Sequence, residues 1–259
     1  VKKTSLEKYS KPRVNGVAAI TIKEGDELLE AKLTNGESQI ILAVKSGKLV
    51  RFEETKTRPM GRTASGVRGI TLKDDTDEVI GMVTVDKDDI NDSQILVVTE
   101  NGYGKRTKLV DEDGEDVYRI TNRGGKGVKT LNITEKTGKL ISINAVTDAD
   151  DLMIINKSGL TIRMAIEDLR VMGRATQGVK LINLKGKDSI AAVTKVMKDD
   201  VAEVVVDEDG NVIETEAIER VKPVLEILED EGTEEDEDED DIEEDEDDEA
   251  SEEEDEDDE

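Results

Sequence analysis

The chain has 259 residues, with 36 basic and 65 acidic side chains, and contains no cysteine, histidine or tryptophan. Those absences exclude a disulfide framework, the usual neutral-pH general base, a thiolate nucleophile and soft metal ligands. No apolar run approaches the roughly 20 residues a membrane-crossing helix needs, and no signal-peptide pattern opens the chain, so the expected location is the cytoplasm.

The overall charge hides a split. Residues 199–259 hold 36 of the acids and only Arg220 and Lys222 as bases, a net of −34, which leaves residues 1–198 at +5. A mildly basic body is joined to a very acidic tail. The body is repetitive: GRTASGVRGITL from Gly61 has counterparts in RVNGVAAITI near Arg13, NRGGKGVKTLNI near Asn122 and GRATQGVKLINL near Gly173. The second glycine falls at Gly16, Gly66, Gly127 and Gly178, and steps of about 50 residues with short apolar runs are the size of one four-stranded propeller blade.

In chain order, residues 1–36 are a partial blade. Lys3 aligns with Arg51, Arg106 and Arg163, and Glu27 to Leu33 is the closing run before an Asn35-Gly36 turn. Because Val1 falls inside a repeat, the chain is expected to be a fragment of a longer protein. Residues 37–88, 89–148 and 149–198 are complete units, each with an apolar run, a small-residue turn, a run carrying a cation, the glycine block and a closing apolar run. These are Gln39 to Val44, Ser46-Gly47, Leu49 to Phe52, Gly66 to Leu72 and Val79 to Val85 in the first. They are Gln94 to Val98, Asn101-Gly102, Arg106, Gly127 to Ile133 and Leu140 to Val146 in the second. The last has Leu152 to Ile155, Ser158-Gly159, Ile162 to Met164, Gly178 to Leu184 and Ile190 to Val196. Asn-Gly or Ser-Gly between β-rich runs signals a hairpin, because glycine takes positive φ without steric cost. The middle unit is longer by a polar insertion around Asp111 to Asp116, read as a tolerated loop.

Residues 199–228 read as a linker with a hairpin from Glu203 to Thr215 about Asp209-Gly210 and a short helix from Ala217 to Leu228 broken at Pro223. Residues 229–259, almost pure Asp and Glu, cannot bury enough apolar surface to offset chain entropy and are expected to be disordered. The fold expected is all-β: a propeller-like repeat of four-stranded blades followed by that tail.

Phosphate-binding and calcium fingerprints fail. Gly124-Gly125-Lys126-Gly127 lacks the Ser/Thr after lysine, and Asp207-x-Asp209-Gly210 has its glycine two positions early for a calcium loop. Two rows of cations recur instead. Arg51, Arg106 and Arg163 sit four residues after a turn glycine, with Lys3 as the worn equivalent; Arg62, Arg123 and Arg174 sit four residues before the block glycine, and Lys126 adds to them. A single lysine on a strand face is ordinarily just solvated. Repeated arginines at equivalent heights are a different case, because duplex DNA carries one charge per ~1.7 Å and a row of guanidinium groups neutralises phosphate without reading sequence. Lys3, Arg51, Arg62, Arg106, Arg123, Lys126, Arg163 and Arg174 are therefore the expected DNA-contacting residues, and no catalytic, cofactor or metal residue is assigned. Aromatic residues are scarce, which argues against a stacking platform for single strands.

NGYGKRT at 101–107, PMGRTASGVRGITL at 59–72 and VMGRATQGVKLINL at 171–184 closely resemble the C-terminal domain family of DNA gyrase A. The resemblance covers roughly residues 1–198. It implies a β-pinwheel of strand-exchanged blades whose basic edge wraps duplex DNA, and a parent type II topoisomerase that introduces negative supercoils. In that parent complex ATP and Mg belong to gyrase B and the core, the partners are double-stranded DNA, gyrase B and the rest of gyrase A in a heterotetramer, and the setting is the bacterial cytoplasm and nucleoid. The family's Gln-Arg-Arg-Gly-Gly-Lys-Gly box belongs to the first blade. Asn122 to Gly127 is a box-like relative, while the true box and the DNA-cleaving tyrosine are expected before Val1, so neither Tyr9, Tyr103 nor Tyr118 takes that role. The C-terminal domain of the topoisomerase IV counterpart of gyrase A and a propeller scaffold for protein partners are the alternative readings. The tail is either a solubilising appendage or a DNA mimic that competes for the basic edge.

Overall fold

The computed structural model describes residues 1–186 and 188–197, together with the backbone of 205–206 and 212–213. Three antiparallel sheets follow the repeat. In the first, β1 (Gln39–Val44) turns through Ser46-Gly47 into β2 (Lys48–Glu53), and β3 (Val79–Val85) pairs on the other side of β1. The second repeats this plan with β4 (Gln94–Thr99) and β5 (Tyr103–Lys108), which are followed by the two-residue β6 (Val128–Lys129) and by β7 (Leu140–Val146). β4 lies between β5 and β7. In the third, β8 (Asp150–Asn156) lies between β9 (Thr161–Ala165) and β11 (Ile190–Met197), with the two-residue β10 (Val179–Lys180) falling between β9 and β11 in the chain.

The short strands do not join the sheets of their own units. β6 pairs with β2, Leu49 opposite Val128, and β10 pairs with β5, Gly104 opposite Val179. Each glycine block is thus the fourth strand of the preceding blade. The same exchange occurs at the start, where Val67 N–H donates to the Val1 carbonyl at 2.9 Å and Val1 donates back to the Val67 carbonyl at 2.7 Å. The geometry explains the recurring glycine. A Cβ at Gly66, Gly127 or Gly178 would stand 2.5 to 2.6 Å from the carbonyl oxygen of Val1, Leu49 or Gly104, and φ is positive at all three. The lent strand crosses its neighbour too closely for any side chain.

The central strands are apolar runs without alternation because both of their faces are covered. Along β1, Ile41 and Ala43 pack with Ile95 and Val97 of β4 in one cluster, while Ile40, Leu42 and Val44 pack with Ile70 and Val1 in another. β4 does likewise, its Leu96 and Val98 meeting Leu152, Ile154 and Met164. The core therefore lies between successive blades, and each blade is a spacer between two apolar layers.

Two expectations meet a different outcome. Residues 27–33 form no strand, and Leu28, Leu29 and Leu33 are exposed. In the complete units this run pairs with a first strand, which the partial unit does not supply. The glycine block after Gly66 likewise forms no extended strand beyond its contact with Val1. Val205–Val206 pairs antiparallel with Val212–Ile213, while the turn expected at Asp209-Gly210 lies outside the described residues. The helix expected over 217–228 and the tail over 229–259 lie outside the described residues.

Candidate nucleic-acid interface

The two rows of cations part company. Arg51 is 1% exposed. Its Nε donates to Gln39 Oε1 at 2.7 Å, and its Nη1 donates to Asp116 Oδ1 at 2.7 Å, to the Tyr118 carbonyl at 2.9 Å and to the Leu109 carbonyl at 3.4 Å. Arg106, 7% exposed, repeats the arrangement one blade on. It bonds the Leu169 carbonyl, the Glu167 carbonyl and the carboxylate of Asp148. Lys3 reaches the Glu54 carbonyl at 3.2 Å and its carboxylate at 3.4 Å, and Arg163 Nε donates to Asp151 Oδ2 at 2.7 Å. The expectation that Lys3, Arg51, Arg106 and Arg163 form a phosphate-facing row is corrected: Arg51 and Arg106 are internal, and the other two are matched to carboxylates. The cause is the period of a strand, since Arg51 shares its face with the core residue Leu49 and so points at the next blade.

This first row is an inter-blade latch. From Lys3, Arg51 and Arg106 the cation reaches the chain just after the second strand of the following blade, and the backbone seals the contact. Met60, Thr121 and Met172 donate their amides to the carbonyls of Lys3, Arg51 and Arg106 at 2.8, 2.8 and 2.9 Å. The Asp111–Asp116 insertion, read from sequence as a tolerated loop, supplies the carboxylate for Arg51. Its own hydrogen bonds, Asp111 Oδ1 accepting from the amides of Asp113 and Glu115, hold Asp116 in place. Only spatial proximity could have revealed that partnership.

The second row stands on the turns that lead into the lent strands, GRTASG, NRGGKG and GRATQG. Arg62 is half-buried and, among the described residues, its guanidinium has no carboxylate partner. Among the described residues Arg123 donates only to backbone carbonyls, Nε to Lys56 and Nη1 to Arg68, both at 3.2 Å. A carbonyl orients a guanidinium without cancelling its charge, whereas a carboxylate does both. Exposed Lys56, Arg58, Arg68 and Lys126 lie on the same segments. Arg174 occupies the equivalent position on its own turn, half-buried.

These turns adjoin one another. Gly124 N–H donates to the Gly69 carbonyl at 2.7 Å and Thr71 N–H to the Gly125 carbonyl at 2.9 Å. The equivalent contact at the next junction is Asn132 N–H to the Thr176 carbonyl at 3.1 Å, and at the preceding one Thr21 Oγ1 donates to the Thr63 carbonyl at 2.5 Å. Arg62, Arg123 and Arg174 are thus carried on a continuous chain of hydrogen-bonded turns, with spacing set by the blades.

A lysine that the sequence suggests only as a further cation widening the stripe is buried and supports the last turn. Lys105 is 0% exposed, and burial pulls its pKa down to about 7. Its Nζ donates to the carbonyls of Gly173 and Arg174, both at 2.5 Å, and to Thr176 Oγ1 at 3.1 Å. Lys2, at the same repeat position, bonds the carbonyls of Arg62 and Ala19. Tyr118, also buried, hydrogen-bonds Thr130 Oγ1 at 2.7 Å, and burial raises its pKa. It stays a neutral phenol. Among the described residues no group of three or more acidic side chains is arranged to hold a metal ion, and no helix is long and apolar enough to cross a membrane.

Comparison with known proteins gives a consistent picture. A family profile described as "DNA gyrase C-terminal domain, beta-propeller" matches residues 1–35, 39–86, 93–147 and 150–197. The DNA gyrase A protein of Staphylococcus aureus strain MRSA252 is 42% identical over 223 residues, which is 84% of this chain and 24% of that protein. Its counterpart in strain NCTC 8325 / PS 47 is 44% identical over 199 residues, 77% of this chain and 21% of that one. This chain therefore spans less than a quarter of the length of these relatives. Among solved structures, a DNA gyrase A C-terminal domain aligns with a TM-score of 0.60 at 25% identity, covering 71% of this chain and 59% of that one. The C-terminal domain of a DNA topoisomerase IV aligns with a TM-score of 0.68 at 23% identity, covering 76% of this chain and 58% of that one, a likeness of fold.

Proposed function

The chain belongs to the DNA gyrase C-terminal domain family, and on that premise we propose that it binds duplex DNA along its chain of edge turns and wraps it with little regard to sequence. The observation that carries this reading is the second row of arginines: Arg62 and Arg123 are oriented by backbone or left open, uncancelled by carboxylates, on turns that adjoin from blade to blade. Guanidinium groups so arranged neutralise successive phosphates and release their counterions, and a duplex that follows the row from blade to blade is wrapped. Sequence is not read, because nothing in the row is placed as a base-reading element.

Identity of 42 to 44% to gyrase A, against a fold-level likeness to topoisomerase IV, favours the gyrase setting. In that setting the chain acts within a type IIA topoisomerase that introduces negative supercoils. ATP, with Mg, is hydrolysed on gyrase B, and the assembly is a heterotetramer in the bacterial cytoplasm. The chain itself contributes positioning of DNA and no bond-breaking chemistry.

The test is a triple variant, Arg62→Ala, Arg123→Ala and Arg174→Ala, in a salt titration of duplex binding. Each lost phosphate contact lowers the slope of log K against log salt by about 0.9, so the triple variant should lose a slope of about 2 to 3 and bind more weakly on every sequence alike. An unchanged slope with a folded protein would refute the reading.

A further inference from the structure

We propose that Lys105 is a positioning residue of the DNA-binding edge: its ammonium fixes the Gly173–Gly178 turn from beneath and so sets where Arg174 stands. The inference rests on the DNA-binding reading above and deepens it. Three acceptors converge on one Nζ, the carbonyls of Gly173 and Arg174 and Thr176 Oγ1. An ammonium has three donors, so the match uses them all. One of those acceptors belongs to the arginine being positioned. Thr176 in turn donates to the Gly173 carbonyl at 3.0 Å and accepts from Asn132 at 3.1 Å through its own carbonyl, which ties the locked turn to the preceding glycine block.

The repeat shows where the device is used. Lys2 reaches the Arg62 carbonyl in the same way, whereas Val50 and Ile162 stand at the equivalent positions of the other blades. The turn that lies over Val50 is NRGGKG, with exposed Lys126 adding a cation. A lysine beneath the turn and a lysine on the turn are alternative ways to place positive charge at this edge.

The lock is also sensitive to pH. A neutral amine keeps two donors, so one of the three acceptors loses its partner when the proton leaves. Arg174 on the turn, Lys180 on the lent strand, Tyr103 and Arg106 on its own strand and Tyr118 are the charged or titratable groups on the segments around it. The lowering of the Lys105 pKa is caused by burial alone. With no histidine or cysteine in the chain, few other groups change charge near neutrality.

Lys105→Met, similar in length and unable to titrate, tests the proposal through two readouts on the full chain. Amide hydrogen exchange at Asn132 and Met172, whose amides donate to the Thr176 and Arg106 carbonyls at this turn, should accelerate severalfold in the variant, and the affinity of wild type for a duplex should fall about fivefold between pH 6 and pH 8.5 while the variant stays low and flat, a change of the size of one lost hydrogen bond. Unaltered exchange overturns the lock. Faster exchange with identical pH profiles overturns the positioning role while leaving the lock, and wild-type binding by the triple arginine variant is the separate failure of the DNA reading. Thr176→Val keeps the lysine and removes one acceptor; it should accelerate exchange at the same amides by a smaller factor, and no acceleration there would also overturn the proposal.

Discussion

Arg51 and Arg62 have the same chemistry and opposite employment. Arg51 is enclosed by Gln39, Asp116 and two carbonyls, while Arg62 is half-buried on its turn. The Asp116 carboxylate is 40% exposed and can take water, so what removal of Arg51 strands is Gln39 and the buried carbonyls, at a cost of about 1 to 3 kcal/mol. Arg51→Met should therefore lower the thermal midpoint sharply and loosen residues 109–121, whereas Arg62→Ala should leave stability within about 0.5 kcal/mol of wild type and act on DNA affinity. Differential scanning calorimetry beside a binding titration separates the two. The sequence shows that both arginines recur but not which face each occupies. A closer look at period two would have placed Arg51 with Leu49, yet its counter-charge lies 65 residues away and has no local signature.

At the scale of elements, the strands of each blade were legible because their apolar runs are continuous and their turns carry Asn-Gly or Ser-Gly. Val79–Val85 and Leu140–Val146 fall where the pattern puts them. The destination of the glycine block was not legible, since pairing β6 with β2 is a non-local event that no window of sequence contains. The block glycine now has a specific physical role. At Gly127 a Cβ would meet the Leu49 carbonyl oxygen at 2.5 Å with φ at +74°, so Gly127→Ala combines a backbone clash with a left-handed conformation. It should cost about 2 kcal/mol or more and detach β6. Hydrogen exchange would show this as lost protection at Val128 to Leu131, and Gly16→Ala, where a Cβ meets nothing within 4 Å, should cost less.

Over the whole molecule, charge is the governing quantity. A body at +5 is covalently joined to residues 199–259 at −34, and the expected outcome of that joining is that the tail competes with any polyanion for the body. A tether places such a competitor at an effective concentration of order millimolar. Deleting residues 229–259 should tighten duplex binding at low salt, and the gain should fade as ionic strength rises past about 0.1 M, where the screening length falls to ~10 Å. Equal affinity with and without the tail at low salt would leave it as a solubilising appendage. Neither the repeat nor the strand pattern bears on this outcome, which composition alone suggests.

Strand lending also has a bearing on how the chain is made. β2 ends at Glu53 and its neighbour β6 begins at Val128, so a nascent polypeptide must lengthen by 75 residues before that edge is satisfied. At about 5 to 20 residues per second, the ribosome leaves each new blade open for roughly 4 to 15 seconds. Synthesis thus advances through brief vacancies, those beside β2 and β5 being closed by β6 and β10 of the blades that follow.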